Sequence, residues 1–198
     1  MASIPVIRYT PKQYLAIERE AEFTSELVMG EMVAMARGSR EHNRIAGNVY
    51  GQLFMALRGK PCEAFTSDMQ VNVGTSFFYP DVSVYCGTQQ FLANRRDVLL
   101  NPLIVVEVLS KSTEGYDWNV KLNRYSDIES LREIVYISQE MPVIHHLTRI
   151  DTGDWKHSTI AGIDGSLPFT SIDCTLSLVD IYETVEFAET SNSLRVVE

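Results

Sequence analysis

"NPLIVVEVLSKST", Asn101 to Thr113, contains a seven-residue run, Leu103 to Leu109, that is apolar except for Glu107. A short, nearly continuous apolar run of this kind marks a central strand covered on both faces. Burying a lone carboxylate in such a strand costs several kcal/mol or forces its protonation. Glu107 therefore requires compensation. An ion pair, a place at the exposed end of the strand, and ligation of a hard divalent cation all satisfy that requirement.

The stretch before it, "FYPDVSVYCG" (Phe78–Gly87), reads as a second strand. Alternation assigns Phe78, Pro80, Val82 and Val84 to one face and Tyr79, Asp81, Ser83 and Tyr85 to the other. Pro80 cannot donate to a ladder, so Pro80-Asp81 marks a strand mouth or a kink. Asp81 fits a turn cap as well as it fits a site residue. Two neighbouring strands can bring Asp81 and Glu107 close enough to share one cation. The helix expected after the second strand, Asp117 to Ile128, offers a basic partner. At 100° per residue Lys121 falls between Asp117 and Tyr125, beside the apolar stripe of Trp118, Leu122 and Tyr125. An intrahelical pair with Asp117 would explain Lys121 without any site.

Farther out, the elements alternate in type. "TPKQYLAIEREAE" starts with Thr10 as N-cap and Pro11 at the first helical position, predicting a short helix. "SELVMGEMVAMA" places Met29-Gly30 between two apolar stretches and predicts a hairpin. Over Ser39 to Leu57, Ile45, Val49, Leu53 and Leu57 recur every four residues, the pattern of an amphipathic helix. Glu63 to Val73 and "REIVYIS" read as strands, and "VIHHLTRI" and "WKHSTIAG" as a hairpin split by "DTGD". The expectation is one α/β (α+β) domain over residues 1–187, with a frayed tail over 188–198.

Of the 198 residues, 45% are hydrophobic and 22% charged, as in an ordinary globular domain with one sizeable core. No stretch approaches the ~18 apolar residues of a membrane span, and the N-terminus lacks a continuous apolar h-region, so a cytoplasmic protein without membrane contact is expected. Cys62, Cys86 and Cys174 are odd in number and far apart, without a CxxC pair. They read as buried small hydrophobes and not as a disulfide framework or a zinc site. The net charge of -9 opposes a phosphate-binding role. The deficit is local: residues 151–198 carry 2 Lys/Arg against 9 Asp/Glu, whereas residues 1–60 carry 8 against 6. Arg37, Arg40, Arg44, Arg58 and Lys60 make an early basic zone, which fits either a solvated helix face or a surface for phosphates.

Taken together, "YPD", "VVEVLS", "DWNVKLNRY" and "REIVYI" resemble the PD-(D/E)XK restriction-endonuclease-like superfamily, and within it a bacterial branch of nuclease-like proteins. The resemblance runs from about Tyr9 to Phe187. It implies a mixed sheet flanked by helices, with additional hairpins, and a Mg²⁺- or Mn²⁺-dependent endonuclease hydrolysing the phosphodiesters of nucleic acid, DNA before RNA. Asp81 and Glu107 become the metal ligands and Lys121 the catalytic lysine that orients the nucleophile or stabilises the charge developing on the phosphate. In the usual motif the lysine lies two residues after the acid, where this chain has Leu109. Lys121 on the next helix takes its place, ahead of Lys111 in the "SKSTEG" loop. Glu26, His42, Asp117 and Tyr125 are secondary candidates, Arg40 and Arg44 face the substrate, and Ser110 and Ser112 fit either supporting donors or caps of the next helix. The histidines His145, His146 and His157 do not read as a metal site. A homodimer, with "PVIHHLTRI" contributing to the interface, is the expected assembly. The competing function is a nuclease-fold protein that no longer cuts and serves as an interaction module, which the -9 charge favours.

Overall fold

The computed structural model describes residues 7–111 and 113–187. Helix α1 (Pro11–Glu20) is closed by a capping box in which Thr10 and Gln13 satisfy each other's backbone N–H groups. Strands β1 (Ser25–Val28) and β2 (Glu31–Ala34) form the expected hairpin. Its two turn residues, Met29 and Gly30, both take positive φ, 50° and 93°. That conformation matches the twist of a tight hairpin. Helix α2 (Arg40–Ala56), N-capped by Ser39, buries Ile45, Val49 and Leu53.

Two six-stranded sheets carry the rest. The first has the order β2-β1-β5-β4-β8-β7 and adds β4 (Gln70–Val73), β5 (Ser76–Phe78), β7 (Phe91–Leu92) and β8 (Arg95–Leu99). The second has the order β12-β11-β10-β9-β6-β3. Its strands are β3 (Cys62–Thr66), β6 (Val82–Cys86), β9 (Ile104–Leu109), β10 (Glu133–Ser138), β11 (Val143–Arg149) and β12 (Trp155–Ala161). Strand β9 is central and buried throughout, parallel to β10 and antiparallel to β6. Between β9 and β10 the helical segments Glu114–Tyr116, Asp117–Lys121 and Leu122–Tyr125 run on as one helix, α3. A hairpin of β13 (Ser166–Phe169) and β14 (Cys174–Ser177), followed by the short helix Leu178–Ile181, completes the described chain.

The pleat of β9 divides the core. Ile104, Val106 and Val108 pack with Val82, Val84, Val135 and Ile137 against α2 and the β13–β14 hairpin. Val105 and Leu109 face the other way, into a cluster with Val71, Phe78, Tyr125, Ile134 and Tyr136. Glu107 lies between Val105 and Leu109 in the alternation and so shares that second face.

Several sequence expectations are corrected. Phe78 to Cys86 is not one strand: β5 ends at Phe78 and β6 begins at Val82, in different sheets. Pro80 breaks the ladder between them, and Phe78 consequently joins the cluster opposite Val82 and Val84. Glu63 to Val73 is likewise split between β3 and β4. The cysteines are corrected as well: Cys62 and Cys86 are joined in a disulfide, and Cys174 is free and half-buried. The two half-cystines are 24 residues apart in sequence but opposite each other in the β3–β6 register. Strand β11 is hydrogen-bonded on both sides, to β10 and β12, and buries Ile144, His146 and Leu147. The tail expected to fray, 188–198, and Ser112 lie outside the described residues. Among the described residues no helix is long and apolar enough to cross a membrane.

Candidate active site

The β6–β9 register pairs Val82 with Val106. One step further along these antiparallel strands, position 81 falls opposite position 107. Asp81 sits at that mouth, where its Oδ2 accepts the Val108 N–H at 2.7 Å and stands 3.2 Å from Nε2 of His42. His42 comes from the first turn of α2, where its own N–H is capped by Ser39 Oγ. Gly38 makes room for the ring, since a Cβ there would lie 2.6 Å from His42 Nδ1. Burial disfavours the charged imidazole, but the hydrogen bond and charge of Asp81 outweigh it and raise the His42 pKa.

Lys121 enters from α3, where the Leu122 N–H bonds to the Asp117 carbonyl in a widened π turn. Such turns recur at functional sites. Its Nζ lies 3.0 Å from Glu107 Oε1, 3.0 Å from Glu26 Oε1 and 3.4 Å from Asp117 Oδ1. All four side chains are buried. Glu107 Oε1 also accepts the Tyr125 hydroxyl at 2.6 Å. Glu26, on β1, accepts the Tyr79 N–H at 3.0 Å on Oε1 and the Tyr116 hydroxyl at 2.9 Å on Oε2.

Burial pushes the Glu107 carboxyl well above the ordinary carboxylate range, against the pull of Lys121, with Asp117, Asp81 and Glu26 adding to the rise. Burial likewise raises Asp117. Lys121 is drawn the other way: burial works against its charge, but Glu107, Glu26 and Asp117 together hold its pKa well above the usual lysine value. The lysine is thus a fixed cation, set among more acid groups than it can neutralise.

These groups line a cavity of about 340 Å³ that includes Glu26, His42, Asp81, Glu107, Asp117 and Lys121. Tyr79, Tyr116 and Thr113 line it too. Sequence reading missed these three; a tyrosine or threonine at an element boundary has no spacing that sets it apart. Tyr125 is fully buried behind the cavity and touches it through Glu107. Arg40 and Arg44 are exposed on α2, outside the cavity lining, and Arg40 pairs with Glu41 at 3.3 Å. Lys111 points to Glu140 at 3.3 Å. Ser110 exchanges hydrogen bonds with Thr113.

An excess of carboxylates over cations, with oxygen as the donor atom, fits a hard divalent ion held by Asp81 and Glu107. Among the described residues no group of three or more His, Cys, Asp and Glu side chains converges on one metal position. Backbone carbonyls, water or substrate would supply the remaining ligands of such an ion.

A family model described as "Uma2: Putative restriction endonuclease" matches residues 11–178. The chain belongs to the Uma2 family. The chain is also similar to two curated relatives from Synechocystis sp.. "Uncharacterized protein sll1609" is 31% identical over 81% of this chain and 92% of its own length. "Uncharacterized protein slr1290" is 29% identical over 93% of this chain and 97% of its own length. The crystal structure of a "putative nuclease belonging to DUF820" from Anabaena variabilis superposes with a TM-score of 0.73 over 88% of this chain and 97% of that one. At 16% sequence identity that likeness is one of fold. The Uma2 fold here is the restriction-endonuclease-like one that the sequence motifs resemble.

Proposed function

We propose that this Uma2 protein is a Mg²⁺- or Mn²⁺-dependent endonuclease that hydrolyses phosphodiester bonds of DNA. The observation that carries the reading is Lys121, buried with Nζ 3.0 Å from both Glu26 and Glu107, in the cavity that also holds Asp81. A structural role alone gives no reason to bury one lysine among so many carboxylates beside a cleft.

Asp81 and Glu107 would hold the cation, which when bound would supply Lewis acidity and offset charge developing on the phosphate. The Val108 N–H and His42 fix Asp81 from two directions. Tyr125 and Lys121 fix Glu107 through Oε1. Lys121 stays protonated and presents its charge to the phosphate oxygens or the attacking water. Glu26 and Asp117 hold the ammonium in place, and Tyr116 orients Glu26. Arg40 and Arg44, exposed at the start of α2, meet flanking phosphates and contribute to affinity.

The net charge of -9 favours a second reading, a binding module that does not cut. Calorimetry with Mn²⁺ on wild type and Glu107→Gln, beside cleavage of DNA and RNA oligonucleotides, separates the two. The nuclease reading expects a metal site lost in the variant, with cleavage of DNA above RNA. Absence of metal binding from both proteins would leave the module.

A further inference from the structure

Away from the cleft, two histidines face each other across strands. His145 on β11 pairs in register with Thr159, and His157 on β12 pairs with Leu147, so the two imidazoles are diagonal neighbours on one face of the sheet. Nδ1 of His145 lies 3.2 Å from Nε2 of His157. Thr159 Oγ1 also lies 3.2 Å from that Nδ1.

Trp118 holds the pair in place. Its ring meets His145 at 5.1 Å and 75°, and His157 at 5.6 Å and 65°. Its indole packs against the buried Tyr136 at 4.8 Å. The rings are thus oriented from beneath by the core while their nitrogens face one another at the surface.

Two nitrogens at zinc-bond length in tetrahedral geometry stand about 3.3 to 3.4 Å apart. The observed 3.2 Å, at which the two imidazoles share a hydrogen bond, is within about 0.2 Å of that bite, so loss of the shared proton would leave both nitrogens near ligand spacing. We propose that His145 and His157 form a binding site for a borderline divalent transition-metal ion, Zn²⁺ in the first instance, distinct from the carboxylate pair in the cleft. Imidazole nitrogen prefers such ions, whereas Asp81 and Glu107 offer the oxygen donors of a Mg²⁺ or Mn²⁺ site. Among the described residues no third His, Cys, Asp or Glu side chain completes the group. Water fills the remaining positions, and the ion exchanges readily with solvent.

The test is a Zn²⁺ titration of the whole chain in saturating Mg²⁺, followed by calorimetry and by NMR of the four imidazoles. The proposal expects one Zn²⁺ site whose filling moves the His145 and His157 ring signals and leaves buried His146 in place. Replacing either ligand, His145→Gln or His157→Gln, is expected to weaken that site roughly tenfold or more, the loss of one of two ligands. His157 is exposed, so its replacement leaves the core packing alone. An isotherm unchanged in His157→Gln, or ring shifts confined to His42, would overturn the assignment, as would wild type that takes up no Zn²⁺.

Discussion

Lys121 carries one positive charge among Glu26, Glu107 and Asp117, and its removal leaves the buried carboxylates facing one another. Breaking one partner out of a buried ionic group typically costs ~3–5 kcal/mol. Lys121→Met is therefore expected to lower stability by about that much in urea unfolding without metal, and Mn²⁺ should restore part of the loss. Glu107→Gln is expected to act oppositely, abolishing cleavage while leaving apo stability unchanged or slightly raised, because the amide sheds the cost of burying a charge. Proton linkage gives a second expectation. Glu107, Asp117 and His42 all have folded-state pKa values above their ordinary ones. For such groups the stabilisation is complete below the unfolded pKa and is lost as pH rises through the folded value. Their contribution to the melting temperature of the metal-free protein should therefore grow as pH falls from about 8 toward about 5, and Glu107→Gln should flatten that slope. Metal binding has the reverse dependence, since it needs the carboxylates deprotonated. A melt series at several pH values, with and without Mn²⁺, reads both.

At the scale of elements, the β3–β6 pair is closed by the Cys62–Cys86 disulfide. Chain-entropy reasoning assigns a loop of this length about 3.5 kcal/mol. Cys62→Ser is expected to lose up to about that much stability in oxidising buffer, and the difference from wild type should vanish after reduction. Chemical unfolding in the two buffers checks it. The bond was not legible in the sequence because it depends on which strands become neighbours, and nothing local to Cys62 or Cys86 states that β3 pairs with β6. Glu107 was legible for the opposite reason: a charge inside an apolar run is conspicuous in one dimension. The α1 cap, the Met29-Gly30 turn and the apolar repeat of α2 are equally local, and the structure contains them. Helical spacing placed Lys121 beside Asp117 and Tyr125, but the π turn that brings Asp117 and Lys121 together toward Glu107 left no sequence mark. The β13–β14 hairpin went unread because Pro168 and the left-handed Asp173 interrupt its alternation.

Across the whole molecule, the two sheets meet at Asp81 and Glu107 from one and Glu26 from the other, with α3 supplying the cation between them. The acidic C-terminal segment reaches the start of α2, where Arg40 lies 3.3 Å from Glu41 and 3.9 Å from Glu186. We expect a homodimer, which would let two sites address two strands. Light scattering should then report twice the chain mass of 22.4 kDa, whereas a monomer across micromolar concentrations would remove it. Asp81 is the most direct test of the central claim, because Asn keeps its shape and turn-capping ability while losing the charge that a cation requires. The measurement is Mn²⁺-dependent cleavage of DNA by wild type and Asp81→Asn, run beside thermal melts with and without metal. Asp81→Asn is expected to fold as wild type does, to lose nearly all cleavage and no longer to melt higher when metal is added. Cleavage at the wild-type rate, with an unchanged melting response to Mn²⁺, would contradict it.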